Sequence, residues 1–550
     1  MSCIIGIDLG TTQSTLAYCD PAGPAIHQFE IDQRIAAGME AKKSVLPSFY
    51  LFPLEEQKPC IGWYARERGA ELPDRVIASA KSWLCHDVID RRSPFLPLSS
   101  VEHKKSPVEV CAAFLTHLKS CWERERSDLP FNEQTILVTV PASFDPGARS
   151  LVQEAAAQAG FPEIRLMEEP LAAFYAWLYT HKETWRTHLK VGDKVLVVDI
   201  GGGTTDFSLI SVVESGGELS LERKAVGNHL LLGGDNIDLT LAHLVQQKLS
   251  VEMDDWQMQS LVHACRSAKE ALLGEAPPDH AAVTVQGRGS SLIGGSLHAT
   301  LERAEIERTL VDGFFPTLSL SESLWQEKRS GLAKIGLPYA RDPRITAQLA
   351  HFLAQSGGSL PSAVLFNGGT MKAAAFRKRI LDQLSLWKGD PVTHLVGADL
   401  DYGVSRGAAY YGWSRAHEGI RVKAPICRSY YIGIEAASPA IPGAPPALKK
   451  IRLVPFGLEE GTSVTLEDQT FSLYLDEPAI FRFFSQNSPA SPDLTELHPI
   501  ETVLHAQGDA GKVVLVKLTA VVTELGVLEL WCVAADGRKW KLEYDTRGEG

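Results

Sequence analysis

Two segments of the chain share one pattern: a hydrophobic run, an aspartate, a turn rich in glycine and threonine, and a second run that returns. The first segment, Ile5–Ser14, contains Asp8, and the second, Val198–Phe207, contains Asp199. Glycine lets a backbone approach a phosphate closely, and successive turn amides can form an anion-binding concavity. Magnesium keeps most of its waters and needs one or two carboxylates plus phosphate oxygens. Two such turns facing each other predict a clamp for a polyphosphate and its magnesium ion.

A third glycine-rich turn strengthens this prediction. A single turn of this kind is weak evidence, because an ordinary tight turn explains it equally well. The third turn, Leu365–Thr370, follows a strand-like run and precedes a helical pattern, where N-terminal helix amides suit a nucleotide. Together the three turns predict a nucleotide site. The candidate binding residues in them are Gly10, Thr11, Thr12, Gln13, Gly201, Gly202, Gly203, Thr204, Thr205, Gly368, Gly369 and Thr370.

Alternating strands and helices must position these turns. The strand-like runs are Ile4–Leu9, Thr135–Val140, Lys194–Ile200 and Ala363–Phe366. The helical patterns lie near residues 108–122, 147–160, 170–181 and 373–387. This alternation predicts α/β layers with helices on the faces of the sheets.

The last quarter of the chain has a different pattern of short alternating runs, which predicts an all-β domain. The runs are Ser429–Glu435, Phe471–Leu475, Ala479–Phe484, Lys512–Val522 and Val527–Ala534. Asp536-Gly537, between strand-like flanks, predicts a tight hairpin. The proline-rich segment 437–450 is interpreted as a loop within this domain. We expect one domain over 1–416, a linker over 417–428 and the all-β domain over 429–550.

The three turns, in this order and spacing, resemble the superfamily of actin, sugar kinases and 70-kilodalton heat-shock chaperones. Four further segments narrow the resemblance to the DnaK-type chaperone family: Val140–Phe144 with Arg149, Arg165–Ala173, Gly233–Asp238 and Gly403–Ala409. The first is similar to the family's proline switch and arginine relay. In the second, Glu168 stands where the family signature has asparagine. The resemblance covers about residues 1–415 closely. It implies an actin-like, two-lobed ATPase domain, then a β-sandwich domain for substrate or partner.

The resemblance also implies roles for individual residues. Lys81 takes the place of the catalytic lysine, whose cation would offset charge on the transferring phosphoryl group. Glu169 and Asp199 would position the attacking water and the metal, and Asp8 would hold the metal from the other side. The other implied contacts to ATP or ADP with Mg²⁺ are Thr11, Thr12, Thr204, Gly234, Lys269 and Lys372. Taken singly, Lys81 reads equally as a solvated helix lysine, and Glu169 as a carboxylate stabilised at a helix N-terminus.

Several positions depart from the family pattern. Lys372 replaces an arginine that stacks on adenine, and a flexible ammonium stacks less well. Beside Lys269, Glu270 and Leu273 replace the usual arginine and serine, so we expect lower affinity or a looser base preference. Extra sequence rich in helix formers lies at about residues 323–350, before the third turn. The apolar, acid-flanked linker that the family usually has is absent from residues 420–427.

The all-β segment resembles the family's peptide-binding domain without its helical lid. Tyr430–Glu435 and Leu453–Gly457 carry this resemblance. A lidless domain would hold an extended peptide by strand-type hydrogen bonds and apolar pockets, and would release it faster. Near the end, Leu528, Leu530 and Cys532 alternate with a second face that includes Trp531. That face is either one side of an ordinary packed strand or the lining of a peptide groove or protein interface.

Composition excludes other classes of protein. The formal net charge of −13 disfavours a general nucleic-acid binder, and no apolar run approaches the roughly 20 residues of a membrane helix. The N-terminus does not resemble a signal peptide, so we expect a cytoplasmic protein. Nine cysteines without a CxxC pair indicate reduced thiols rather than disulfides or structural zinc.

Three functions compete on this sequence. The leading hypothesis is a slow ATPase chaperone that binds an unfolded or extended polypeptide client, with a J-domain co-chaperone and a nucleotide exchange factor as possible partners. The second is a nucleotide-gated module that docks a dedicated protein partner. The third is a small-molecule kinase of the same superfamily, which predicts a catalytic aspartate base and gives the all-β domain no task.

Overall fold

The computed structural model describes most of the chain, in many stretches. The described residues are 2–20, 23–52, 59–69, 71–86, 89–99, 102–182, 184–215, 218–227, 230–274, 276–286, 296–325, 336–337, 339–397, 399–417, 422–423, 429–435, 448–456, 458, 462–486, 494–497, 499–506, 513–522 and 528–542. Most of the predicted linker, at 418–421 and 424–428, and the predicted proline-rich loop at 437–447 lie outside these residues. Within the described residues, none of the helices combines the length and apolarity needed to cross a membrane.

The first lobe contains eleven described strands and five described α-helices. The strands are β1 Ile4–Leu9, β2 Gln13–Cys19, β3 Ile26–Gln28, β4 Ile31–Ala36, β5 Met39–Lys43, β6 Leu46–Pro47, β7 Tyr50–Leu51, β8 Cys60–Ile61, β9 Val76–Ile77, β10 Thr135–Val140 and β11 Arg165–Glu168. The helices are α1 Trp63–Gly69, α2 Pro107–Glu125, α3 Pro146–Gln158, α4 Glu169–Thr180 and α5 Trp185–His188. Three 3₁₀ helices span Pro73–Arg75, Ala80–Cys85 and Phe131–Glu133.

The second lobe follows the same scheme. Its described strands are β12 Lys194–Ile200, β13 Thr205–Ser215, β14 Glu218–Val226, β15 His280–Gln286, β16 Ser296–Glu302, β17 Ala363–Asn367 and β18 Thr393–His394. Its described helices are α6 Gly234–Leu249, α7 Asp255–Leu272, α8 Arg303–Phe314, α9 Ile345–Gln355 and α10 Ala374–Lys388, with a 3₁₀ helix at Gly369–Lys372. A further helix, α11 Gly403–Ala416, follows in the chain and packs on β1 and β2 of the first-lobe sheet. The predicted strands and helices of both lobes are confirmed to within a few residues.

The two large sheets repeat one local arrangement. In the first, with strand order β11-β10-β1-β2-β3, the β1–β2 hairpin is antiparallel and β10 lies parallel to β1. In the second, with order β18-β17-β12-β13-β14-β19, where β19 is Val422–Lys423, the β12–β13 hairpin is antiparallel and β17 lies parallel to β12. Asp8 is therefore level with Thr139, and Asp199 is level with Asn367. The duplicated sequence pattern is thus a duplicated structure.

Local sequence signals explain where the helices begin. Ser106 caps α2 and forms a reciprocal pair of hydrogen bonds with Glu109, and Pro107 occupies the first turn. Asp145 caps α3 by accepting a hydrogen bond from the backbone N–H of Ala148. Strand β12 is buried along almost its whole length, as expected of a parallel strand covered by helices on both faces.

Helices α4 and α11 join the lobes at the base of the cleft. A hydrophobic cluster there includes Leu137 of the first sheet, Val197 of the second, Phe174 of α4 and Ala408 of α11. A Cβ at Gly407 would collide with the backbone carbonyl of Ala172, so only glycine lets the two helices approach this closely. This shared core forms the hinge end of the two-lobed structure.

The described part of the C-terminal segment consists of strands in two five-stranded sheets. The strands are β20 Ser429–Glu435, β21 Leu448–Val454, β22 Ser463–Thr465, β23 Phe471–Tyr474, β24 Pro478–Gln486, β25 Thr495–Glu496, β26 Ile500–Val503, β27 Val513–Val522, β28 Leu528–Ala534 and β29 Lys539–Lys541. Side chains from both sheets share one hydrophobic cluster. The predicted hairpin at Asp536-Gly537 joins β28 to β29. Leu530 and Cys532 are buried and Trp531 is partly exposed, which confirms the two faces of that strand.

A short strand connects the two parts of the chain. Strand β19, Val422–Lys423, lies within the predicted linker and pairs in parallel with Leu221 and Glu222 of β14. It forms the edge of the second-lobe sheet. The linker segment therefore adds a strand to the second lobe, although its sequence lacks the expected apolar pattern.

Candidate functional site

The two glycine-rich turns face each other across the cleft. A Cβ on Gly202 would collide with the side chain of Thr12, and a Cβ on Gly203 would collide with Thr11 and Ser82. Glycine at these positions therefore allows the turns to approach. The predicted pair of turns is brought together as the sequence required.

Asp8 and Asp199 occupy equivalent positions at the ends of their strands. The Thr139 hydroxyl donates to Oδ1 of Asp8 over 3.2 Å. The Asn367 amide donates to Oδ2 of Asp199 over 2.8 Å. In each case the partner belongs to the neighbouring parallel strand, so the sheet itself orients the carboxylate. The two predicted metal ligands thus converge from opposite lobes.

Lys81 is buried and forms an ion pair with Glu169. Lys81 is 3% exposed and lies in the 3₁₀ helix Ala80–Cys85, so it is not a solvated helix lysine. Its ammonium also lies 5.7 Å from the centre of the Phe144 ring. Burial lowers the pKa of Lys81, but the carboxylates of Glu169 and Asp8 outweigh it, and the net pKa is raised. The lysine therefore stays a cation beside the two aspartates.

Burial and neighbouring carboxylates disfavour ionisation of Asp8 and Asp199. Burial, then the charge of Glu169, raises the pKa of Asp8 to about 7, against the opposing effect of Lys81. Burial and Glu169 also raise the pKa of Asp199 well above its usual value, and Asp8 adds to this effect. Among the described residues of this cluster, the carboxylates of Asp8, Glu169 and Asp199 outnumber the single ammonium of Lys81. A divalent cation would balance the excess negative charge.

Asp206 is a member of this cluster that sequence reasoning missed. It lies opposite Asp199 in the β12–β13 hairpin and accepts a hydrogen bond from the Ser143 hydroxyl. Burial and the charge of Glu169 raise the pKa of Asp206 to about 7, against the opposing effect of the Ser143 hydrogen bond. The residue was visible in the second turn motif, but only the fold shows that it points toward Ser143 and the Lys81–Glu169 pair.

Two buried polar atoms at the site have no protein partner among the described residues: the hydroxyl oxygen of Ser82 and Oδ1 of Asn367. Ser82 follows Lys81 and contacts the Gly203 turn, and Asn367 holds Asp199. Buried polar groups are normally satisfied, so these atoms are available to a bound polar group. Together with the facing turns and the carboxylates, they fit a magnesium nucleotide.

A cavity of about 1000 Å³ lies beside the turns and is large enough for a nucleotide. Of the predicted site residues, its lining includes Thr12, Gln13, Gly202, Gly234, Lys269, Gly369, Thr370 and Lys372. It also includes residues that the sequence did not indicate, among them Phe49, Trp63, Arg66, Phe376, Arg377 and Asp401. The remaining predicted residues surround the adjacent carboxylate cluster or hold the turns.

Asp401 joins two predicted contacts from different lobes. The Gln13 amide donates to Oδ1 of Asp401 over 2.9 Å, and the Lys372 ammonium lies 2.6 Å from the same oxygen. Lys372 is therefore held by a carboxylate. Lys269 contacts Oδ1 of Asp238 at 2.6 Å and stays at the cavity wall.

Some predicted residues support the turns through their backbone or hydroxyl groups. Thr205 is fully buried and donates its hydroxyl to the carbonyl of Leu232 over 2.7 Å, so the structure does not bring that hydroxyl into the cleft. The Thr370 hydroxyl and the Gly234 N–H both donate to the carbonyl of Gly201, at 2.9 Å and 3.1 Å. Gly10, Thr204 and Gly368 lie within the three turns themselves.

Ionic and polar contacts link the lobes around the cavity. Arg66 of α1 lies 2.6 Å from Glu270 of α7, so the residue that departs from the family pattern makes a contact between lobes. The Ser79 hydroxyl donates to Asp235 over 2.9 Å. Both contacts therefore join the first lobe to the second.

Glu168 forms a second ionic link between the two lobes. It accepts a hydrogen bond from Arg149 at 2.9 Å and pairs with Arg223 of β14. All three side chains are buried, at 5%, 8% and 5% exposure for Glu168, Arg149 and Arg223. The side chain of Tyr430, in the C-terminal segment, interacts electrostatically with Arg149. The glutamate thus connects the first lobe with the strand that pairs with β19.

Comparison with known proteins agrees with this geometry. The family model described as Hsp70 protein matches residues 4–321. A chaperone protein HscA homolog of Cupriavidus pinatubonensis is 27% identical over 419 residues, which cover 74% of this chain and 57% of the relative. A homolog of Pseudomonas fluorescens is 31% identical over 293 residues, covering 50% of this chain and 42% of the relative.

The chain also matches an HscA homolog of Cupriavidus necator, at 29% identity over 283 residues. These alignments cover between 41% and 57% of the relatives' lengths. The match to the family model extends over more than half of the chain and includes both aspartate turns and Lys81. The chain therefore belongs to the Hsp70 family, whose nucleotide-binding domain has the actin-like fold.

Proposed function

We propose that this chain is an ATP-dependent, chaperone-like protein that binds and slowly hydrolyses ATP and uses its nucleotide state to control a polypeptide client. The observation that carries the proposal is the cluster of Lys81, Glu169, Asp8 and Asp199 beside two facing glycine turns. Similarity to HscA chaperones supports it. The domain boundaries at 416 and 429 and the site assignments are part of the same proposal.

Each residue of the cluster has a chemical task in this proposal. Asp8 and Asp199 hold Mg²⁺, which neutralises charge on the phosphates. Lys81 keeps a buried positive charge where negative charge develops during hydrolysis. Glu169 orients the lysine through their ion pair and presents a carboxylate to the attacking water. Thr11, Thr12 and Thr204 and the turn amides contact phosphate oxygens.

Communication between the domains follows from strand pairing. Strand β19 extends the second-lobe sheet, and its neighbour β14 carries Arg223, the partner of Glu168. A movement of the lobes therefore acts on the segment that leads to the C-terminal sheets. We assign those sheets to a β-sandwich that holds an extended client.

A dedicated protein partner is the second candidate. Tyr474 and Val513 are directly opposite each other on β23 and β27 and are 56% and 50% exposed. Leu515, on the same face of β27, is 64% exposed. An outward apolar face of this kind favours contact with another protein. A small-molecule kinase activity would leave these sheets without a task.

Single-turnover hydrolysis of ATP with magnesium tests the proposal. The wild type is compared with Lys81→Ala, and a panel of apolar peptides is added to each. The matched control is Lys378→Ala, which removes a lysine whose side chain is 75% exposed on α10. We expect slow turnover in the wild type and the control, loss of turnover in Lys81→Ala, and a change in rate when peptide is added.

Two results would decide between the candidates. ATP binding with turnover that neither Lys81→Ala nor any peptide changes would contradict the chaperone mechanism. If the protein also failed to suppress aggregation of a denatured model protein but bound one partner stoichiometrically, the nucleotide-gated module would replace it.

A further inference from the structure

The segment 336–342 belongs to the extra sequence noted around 323–350 and contacts both lobes. Where described, it has no helix; α9 begins only at Ile345. Leu337 packs against the hydrophobic core of the first lobe. Ala340, three residues later, packs against the core of the second lobe. A stretch this short that contacts two separate cores must cross the gap between the lobes.

The first-lobe end is held beside the segment that carries Lys81. His86 directly follows the 3₁₀ helix Ala80–Cys85, is 8% exposed and stacks on Trp83 at 5.6 Å. Its Nδ1 accepts from the backbone N–H of Ile89 at 3.3 Å, so Nε2 carries the proton and donates to the carbonyl of Gly336 at 3.2 Å. The segment is therefore joined to the helix that positions Lys81.

The second-lobe end is held beside the Gly201–Gly203 turn. The backbone N–H of Ala340 donates to the carbonyl of Leu231 over 3.0 Å. Leu231 lies two residues before Gly233, which packs so closely on this turn that a Cβ there would collide with its backbone carbonyls. Tyr339 lies near Asp235 and Arg266, and burial together with the charge of Asp235 raises the pKa of its hydroxyl to about 12.

A rigid anchor fixes the segment where it continues into the second lobe. Asp342 is 2% exposed and accepts hydrogen bonds from the backbone N–H groups of Trp325 and Arg344, each at 3.0 Å. Its own carbonyl accepts from the side chain of Gln348 on α9 at 3.0 Å. Because this end cannot shift freely, separation of the lobes must break the contacts of Leu337 and Gly336.

We propose that the described residues 336–337 and 339–342 form a strap that ties the Lys81 segment to the second lobe, limits opening of the cleft and thereby slows release of the bound nucleotide. The inference rests on the proposed function, since it needs a nucleotide in the cleft.

Release of a fluorescent ADP analogue, chased with excess ATP, measures the effect in the full chain. Leu337→Ala removes the first-lobe anchor and should release ADP about tenfold faster, which is what loss of a half-buried leucine side chain implies. Leu337→Ile keeps the apolar contact and should restore slow release. Leu386→Ala, at a leucine that is 63% exposed on α10, is the matched control and should release ADP at the wild-type rate.

Hydrogen–deuterium exchange of the nucleotide-free protein gives an independent measurement. In Leu337→Ala, the amides of residues 80–86 should exchange faster than in the wild type, because the first-lobe end of the strap is released. Unchanged ADP release in Leu337→Ala would overturn the proposal, with or without faster exchange. Failure of the wild type to bind the analogue at all would instead contradict the proposed function, and the inference would fall with it.

Discussion

At the scale of single residues, Glu168 places one carboxylate between two buried guanidinium groups. Burial lowers the pKa of Arg149, which shows how poorly this position solvates a charge. Removing one member of a buried group of paired charges leaves the remaining charges without a counter-charge. The resulting loss of folding free energy is larger than the stability that the intact group contributes. The residue that departs from the family signature is therefore an essential counter-charge in this chain.

Glu168→Gln should lower the stability of the nucleotide-binding domain by about 3–5 kcal/mol, because it keeps the shape and removes the charge. The midpoint of thermal unfolding, followed by tryptophan fluorescence, measures the loss. Glu154→Gln is the control, since Glu154 pairs with Arg92 where both side chains are 30% exposed, and should cost less than about 1 kcal/mol. Adding Arg223→Met to Glu168→Gln should recover part of the loss. Equal, small losses in both single variants would contradict the argument.

His263 links stability to pH at the interface between lobes. It lies on α7 and its ring centre is 5.9 Å from that of Phe49 in the first lobe. Burial, then the charge of Arg266, lowers its pKa from 6.5 to about 4. The folded state thus binds fewer protons than the unfolded state between these values. The stability that neutral His263 provides is full above pH 6.5 and is lost as the pH falls toward 4.

The test compares the wild type with His263→Phe, which keeps an aromatic ring and cannot titrate. Between pH 6.5 and 4, the wild type should lose stability relative to the variant by at most about 1.4 kcal/mol for each pH unit. Chemical denaturation at a series of pH values measures the difference. Parallel pH curves for the two proteins would show that His263 does not contribute.

At the scale of elements, the two turns fit together only because Gly202 has no side chain. Gly202→Ala should abolish ATP binding, since the added methyl group collides with the Thr12 side chain. Adding Thr12→Ser removes the methyl group of Thr12 and should restore part of the affinity. Isothermal titration with Mg-ATP measures both. Gly313→Ala, on α8 with open space around it, is the control and should bind ATP normally. Full binding by Gly202→Ala would contradict the facing-turn geometry.

The elements that the sequence predicted are those determined by local pattern. Strands β1 and β12, their glycine turns and helices α2 and α4 follow from periodicity and caps within a few neighbouring residues. The partners of these elements were not predictable, because they come from distant parts of the chain. Asp401 lies 388 residues from Gln13, and Arg223 lies 55 residues from Glu168. No local signal marks such pairs.

At the scale of the whole molecule, β19 is the point where the nucleotide-binding domain passes into the C-terminal sheets. It pairs with β14 through its backbone, at Val422 and Lys423. Backbone pairing does not require the apolar side chains that the usual linker has. This explains how a linker of different sequence keeps its place at the sheet edge.

Proline substitution tests whether this pairing transmits the nucleotide state. Val422→Pro and Lys423→Pro each remove a backbone N–H and should detach β19 from β14. We expect basal ATP turnover to persist while its response to added peptide disappears. Val422→Ala and Lys423→Ala keep the N–H and should retain the response, which separates the backbone from the side chains. A normal peptide response in both proline variants would mean that coupling does not pass through β19. The electrostatic interaction between Arg149 and Tyr430 of β20 would then be the next link to examine, with Tyr430→Phe as the variant.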